Sequence, residues 1–197
     1  KTNVTLKGNA VAKYLVGAGT GTNGTAKDTN IFIEGGKVMN VYAGSRSVTL
    51  PSGTVTHITM TGGLAEALFG GCEAADMTGH TNVHLIGGKI TRRVYSGSYN
   101  GTDNSGNCNT ERHVIGTTTI YMHNGISINT STSWLDTETV NTGIFVGSRT
   151  TANSADEYNS IIYVDGCYSS HNKYIGEKHS LFKNKFKSHH DYIIKDT

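Results

Sequence analysis

The chain carries a single proline, Pro51, in 197 residues, and only 16% of its residues are charged. Its net charge of +2 is too small to point to a nucleic-acid partner. Disordered chains are usually rich in charge and proline, so this shortage of both argues for a folded chain in spite of a mean hydropathy of −0.33. No apolar run approaches the ~20 residues that a membrane-spanning helix requires, so no membrane span is expected. Three cysteines, an odd number, leave at least one thiol unpaired within a monomer. No Cys/His grouping has the close spacing of a structural zinc site, and the nine histidines read as surface residues. GAGTGTNG (17–24) has a loose glycine-phosphate spacing, but Thr, Asn and Gly continue where a helix should follow, so no dinucleotide site is expected. No metal and no cofactor are expected.

What is abundant is Thr, Ser, Asn and 25 Gly. β-Branched Thr suits a pleated surface, while Gly and Asn accept the positive φ of tight corners. Six times a short apolar alternation runs into a glycine pair or its equivalent, then an aromatic residue, then a small-residue turn. The clearest copies are TNIFIEGGKVMNVYAGS (29–45), THITMTGGLAEALFGGC (56–72) and TNVHLIGGKITRRVYSGS (81–98). The anchors Val4, Ile31, Ile58, Val83, Ile120 and Ile162 are spaced by 27, 27, 25, 37 and 42 residues. A period near 25 residues with two strand-like pieces per copy predicts a solenoid whose copies stack directly upon one another.

Period-two alternation assigns a face to each position. Anchors point inward, while Thr5, Phe32, Thr59, His84, Tyr121 and Tyr163 form one outward column. A second outward column holds Lys7, Glu34, Thr61, Ile86, His123 and Asp165. The second strands end on Tyr42, Phe69, Tyr95, Phe145 and Tyr174, which stacking places in one structural column below Val16. The pattern T-x-I-x-I-x-G-G-x-I-x-x-V-Y-x-G, over residues 3–176, resembles the Gly-Gly and Tyr-Gly repeats of bacterial cell-surface proteins with right-handed parallel β-helices. That resemblance implies an extracellular or cell-surface location and an adhesive role. The simple repeat lacks counterparts to residues 99–117, residues 129–143 and the tail.

The expectation is therefore an all-β, right-handed parallel β-helix of about six coils over residues 1–176, followed by a basic cap or linker over 177–197. Its expected role is structural or adhesive, with Phe32, His84, Tyr121, Tyr163 and His123 as binding residues for a glycan or a partner and no catalytic residues. The alternative is a carbohydrate-active enzyme, a polysaccharide lyase or glycoside hydrolase, built on the same coil. Such an enzyme needs clustered carboxylates, yet the twelve outward positions hold only Glu34 and Asp165. Asp103, Glu111, Asp136 and Glu138 in the insertions are the other candidates. Cys72 sits at the turn position that Ser98 takes one coil on, and Cys108 follows ten residues after Ser98, so a Cys72–Cys108 disulfide is expected. Open strand edges on the first coil lead to the further expectation of end-to-end self-assembly, or of continuation within a longer β-helix.

Overall fold

The computed structural model describes residues 1–19, 26–99, 114–123, 126–128, 143–145, 160–165 and 192–196. For 127–128 and for everything from 143 onward it describes backbone alone. Each early copy of the repeat is a pair of strands joined at its glycine corner. These are β1 (Thr2–Leu6) with β2 (Val11–Val16), β3 (Asp28–Ile33) with β4 (Lys37–Tyr42), β5 (Thr54–Met60) with β6 (Leu64–Phe69), and β7 (Met77–Leu85) with β8 (Gly88–Tyr95). There follow β9 (Val114–Ile115), β10 (Thr118–His123), β11 (Ile126–Ile128), β12 (Gly143–Phe145), β13 (Ser160–Asp165) and β14 (Tyr192–Asp196). No helix occurs among the described residues.

The first strands of successive copies pair in parallel as sheet A, in the order β1-β3-β5-β7-β10-β13-β14, with β9 added against β7. The second strands pair in parallel as sheet B, in the order β2-β4-β6-β8, and both β11 and β12 pair with β8. This is a parallel β-helix, in which the rest of each coil serves as the crossover that parallel pairing requires. All six anchors fall in one column: Val4 beside Ile31, then Ile58, Val83, Ile120 and Ile162. The column gains a seventh member, Ile194 of β14, which the repeat pattern had not revealed.

The count of six coils needs correction. Among the described residues only four coils have an unbroken strand in both sheets, and the fifth has its second leg in two pieces, β11 and β12, with the inserted residues 129–142 between them in sequence. Past that point the described residues continue sheet A alone. Of the tail expected to be a cap or linker, Tyr192–Asp196 form β14 on sheet A, and the remainder lies outside the described residues.

The core lies between the two sheets. Ile31, Ile33, Ile58, Met60, Val83, Leu85 and Ile120 of sheet A meet Val38, Val41, Ala65, Leu68, Ile90 and Val94 of sheet B. A second small core under the turns gathers Leu50, Cys72, Ala75, Met77 and Val114. Polar Thr29, Thr56 and Thr81 are fully buried inside the coil. The Thr56 hydroxyl donates to the Gly70 carbonyl at 2.5 Å, and those of Thr29 and Thr81 donate to the Ala43 and Ser96 carbonyls. Backbone bonding explains the need. Ala43 N–H donates to Phe69 O and Gly44 N–H to Gly71 O, so the ladder passes over the carbonyl of Gly70 between them. One threonine per coil supplies the missing donor.

The glycine corners stack for a steric reason. Gly36, Gly63 and Gly88, each the second of its pair, have φ of 75°, 79° and 98°. A Cβ on Gly63 would also sit 2.7 Å from the Gly35 carbonyl oxygen of the coil before it. Corners that rise one rung apart leave room for no side chain there.

Candidate functional site

Sheet A presents its outward columns as one face with a residue per rung. Pairing reproduces the first column read from the sequence: Thr5, Phe32, Thr59, His84, Tyr121 and Tyr163, one residue per rung. His84 and Tyr121 stack with ring centroids 4.2 Å apart and planes 23° from parallel. Phe32 shares the column but stands two rungs from His84, with Thr59 between them. Tyr163 is in register with Tyr121, and His123 with Asp165; for Tyr163 and Asp165 the backbone places the position alone. Phe32, His84, Tyr121 and His123 are all half-buried.

The neighbouring column holds Asn3, Asn30, His57, Asn82 and Thr119. Asn30 Nδ2 donates to Asn3 Oδ1 at 3.1 Å and to the Thr2 carbonyl at 3.2 Å, so amide ladders brace this part of the face. His57 was not among the expected binding residues, although its place one before Ile58 gives it an outward direction by the same alternation. His84 lies two residues beyond Asn82, the partner of His57. His123 lies two residues beyond Tyr121, the partner of His84. The three imidazoles therefore make a diagonal, with ~8 Å from each to the next for one rung across and two residues along.

Electrostatics ties the diagonal together. Burial holds the His84 pKa below the ordinary imidazole value, and the charges of His123 and then His57 lower it further. Burial likewise lowers His57, opposed by the nearby Asp28 carboxylate and reinforced by Lys1. His80, exposed at the start of the same face, accepts a hydrogen bond at Nδ1 from the Thr117 N–H at 3.1 Å. That bond leaves its proton on Nε2 in the neutral form. Lys7 and Glu34 form an ion pair at 2.9 Å in the outer column.

The aromatic column of sheet B lies on the opposite side of its strands from the core. Its neighbours Val41, Leu68 and Val94 point into the coil, while Tyr42, Phe69 and Tyr95 form a separate buried cluster. Centroids are 5.2 Å apart from Tyr42 to Phe69 and 5.3 Å from Phe69 to Tyr95, with planes within 19° of parallel. Val16 pairs with Tyr42 at the top, and Phe145 is in register with Tyr95 below. Tyr174 lies outside the described residues. Tyr99 covers the stack, 4.8 Å from Phe69 and 6.1 Å from Tyr42, and Tyr14 extends it beyond Tyr42. Arg93 sits 5.5 Å from the Tyr99 ring and 5.9 Å from that of Phe69. It arrives there because the β6–β8 register shifts between Ala65 and Ala67, a bulge that turns one extra residue of β8 outward. Burial first, and the Glu73 charge second, push the Tyr42 phenol far above its usual range, so it stays protonated. Arg46 bonds Glu73 at 2.7 Å, joining equivalent turn positions of adjacent coils.

Cys72 is a buried, free thiol. Its N–H donates to Ser98 Oγ at 3.0 Å, and its sulfur accepts from the Ser45 N–H at 3.3 Å, so Ser45, Cys72 and Ser98 form a ladder along one turn. Burial pushes the thiol pKa up against the lowering effect of the Ser45 hydrogen bonds. Cys108, its expected disulfide partner, lies outside the described residues. Among the described residues, no three His, Cys, Asp or Glu side chains are grouped to hold a metal ion. No protein-family model, curated protein or solved structure matches the chain.

Proposed function

We propose that this chain is a structural and adhesive module of an extracellular bacterial surface or filament protein, and that it binds a glycan through the outer face of sheet A. The observation that carries the reading is the His84–Tyr121 stack on a rung-regular face, with Phe32 in the same column and Tyr163 in register below. Flat rings already held by their neighbours bury sugar surface with little loss of side-chain entropy. Thr59 and Asn82 beside them supply hydrogen-bonding groups for hydroxyls. Glu34 and the position of Asp165 are four rungs apart, about 19 Å, and Asp28 stands six residues before Glu34 along the chain, about 20 Å, too far for either pair to act on one glycosidic bond.

The same reading has the solenoid continue end to end, into a second copy or into more of its own coil. Among the described residues β1 and β2 are terminal strands, and their Val4 and Ala12 are only partly buried against the core. The test of the binding reading is a glycan array at pH 7.5, run with the parent chain and with Phe32→Ala and Tyr121→Ala. Binding by the parent that falls in both variants supports it. An array without signal, or variants that bind as the parent does, overturns it.

A further inference from the structure

Strands β5, β7 and β10 contain no Asp, Glu, Lys or Arg, so all their charge at or below neutral pH is histidine charge. They carry His57, His80, His84 and His123, four of the nine histidines in the chain. On these three adjacent rungs the outer face is neutral when the imidazoles are neutral and purely cationic when they are protonated. Resting on the glycan-binding reading above, we propose that this face is an acid-activated docking surface for a carboxylated polysaccharide, held by the diagonal His57, His84 and His123.

The geometry supports a linear polyanion. Imidazoles ~8 Å apart in a straight diagonal cross about 16 Å of sheet, and the spacing is set by β-sheet dimensions rather than by side-chain choice. Tyr121 stacks on His84 from the next rung and precedes His123 by two residues on β10, offering a ring to the sugar while the two imidazoliums beside it meet its carboxylates. The groups that bound the face are few. Asp28 at the start of β3 acts on His57, and Lys1 opposes it. Lys7 and Glu34 neutralise one another. At the far end, Asp165 is in register with His123 and Lys195 with Tyr163. Each strand flanking the three rungs thus brings one carboxylate and no cation, Asp28 on β3 and Asp165 on β13, with Lys195 one strand beyond on β14.

Proton binding and polyanion binding are linked. A carboxylated polymer that prefers the cationic face raises the imidazole pKa values, so its affinity climbs as pH falls through the histidine range. Burial disfavours the protonation of both His57 and His84, with His123 and His57 adding to the effect at His84 and Asp28 opposing it at His57, which places the response on the acid side of that range.

The probe is polygalacturonate, with dextran as the neutral control, in 0.15 M salt at pH 5.0 and 7.5, against the intact chain. The expected result is about tenfold tighter polygalacturonate binding at pH 5.0, the sum of three partly exposed charge contacts, with dextran binding unchanged by pH. In the triple variant His57→Gln, His84→Gln, His123→Gln the pH response should vanish. The single variant His84→Gln, checked for the native far-UV spectrum, should reduce it. Polygalacturonate binding that is equal at both pH values, or a response that survives in the single and triple variants, overturns the acid-activated surface and leaves glycan binding at pH 7.5 standing. Loss of every glycan signal at both pH values overturns both.

Discussion

Replacing Thr56 by Val removes one hydroxyl and almost nothing else, because the two side chains share shape and β-branching. The lost group is the donor to Gly70 O at 2.5 Å, and Thr56 is fully buried. No rearrangement of the turn can restore a donor to that carbonyl, since Ala43 and Gly44 already donate to Phe69 and Gly71 on either side of it. A buried acceptor left without a partner costs about 1–3 kcal/mol, whereas the extra methyl of Val is worth less than one buried methylene, ~0.8 kcal/mol. The net expected loss is about 1–2 kcal/mol. The matched control is Thr59→Val, on the same strand but facing outward, which should stay within ~0.5 kcal/mol of the parent. Urea unfolding followed by far-UV circular dichroism measures both. If Thr56→Val unfolds at the parent's midpoint while Thr59→Val does not, the account of the passed-over carbonyl is wrong. Thr29→Val and Thr81→Val, which strip the donors to Ala43 and Ser96, should lose similar amounts.

Gly63→Ala should cost more than Gly53→Ala: both have φ near +80°, but only at Gly63 does the added Cβ meet a backbone carbonyl, while around Gly53 the space is open. Equal midpoints for the two variants in the same unfolding assay would remove the stacking argument for the corners. Stability should fall as pH drops below about 6.5, because His57 and His84 bind protons less readily in the folded chain than in the unfolded one. The loss should level off once pH has passed below their folded-state values, and it should shrink in His84→Gln; a thermal-melt series from pH 8 to 4 that shows no such difference between parent and variant contradicts it. Cys72 should resist iodoacetamide in the native chain and react on unfolding without any reductant, as a buried free thiol does; a peptide map that finds it oxidised to Cys108 would restore the disulfide instead. Light scattering should give a mass above 21.0 kDa that grows with concentration, and a constant 21.0 kDa would end the case for assembly by these residues.

The repeat made the fold readable because stacking turns sequence period into spatial register. Each anchor had only to be apolar and correctly spaced, and the strand pairs then follow. Three features escaped for identifiable reasons. Thr29, Thr56 and Thr81 open the clearest copies, but their purpose lies in carbonyls fourteen or fifteen residues on, across the coil, which no local pattern exposes. Ile194 sits in a lysine- and histidine-rich tail whose composition hides a five-residue strand. Arg93 reaches the aromatic stack through a bulge, and one extra residue in a polar stretch has no signature of its own.

The candidate site was harder to read than the fold, and the difference is geometric. Reading by columns asks which residue type recurs at the same place in each coil, and it finds the Phe32, His84, Tyr121 and Tyr163 strip because those positions share a register. The histidine diagonal advances two residues with every rung, so each of its members belongs to a different column and looks solitary there: His57 among asparagines, His84 between Thr59 and Tyr121, His123 beside Asp165. Only the pairing register brings the three together. Repetition builds the scaffold by making coils alike, and a ligand is recognised where they differ. In a solenoid of this kind, titratable groups are therefore best sought along the diagonals, where departures from the repeat accumulate without breaking the inward column that holds the coils together.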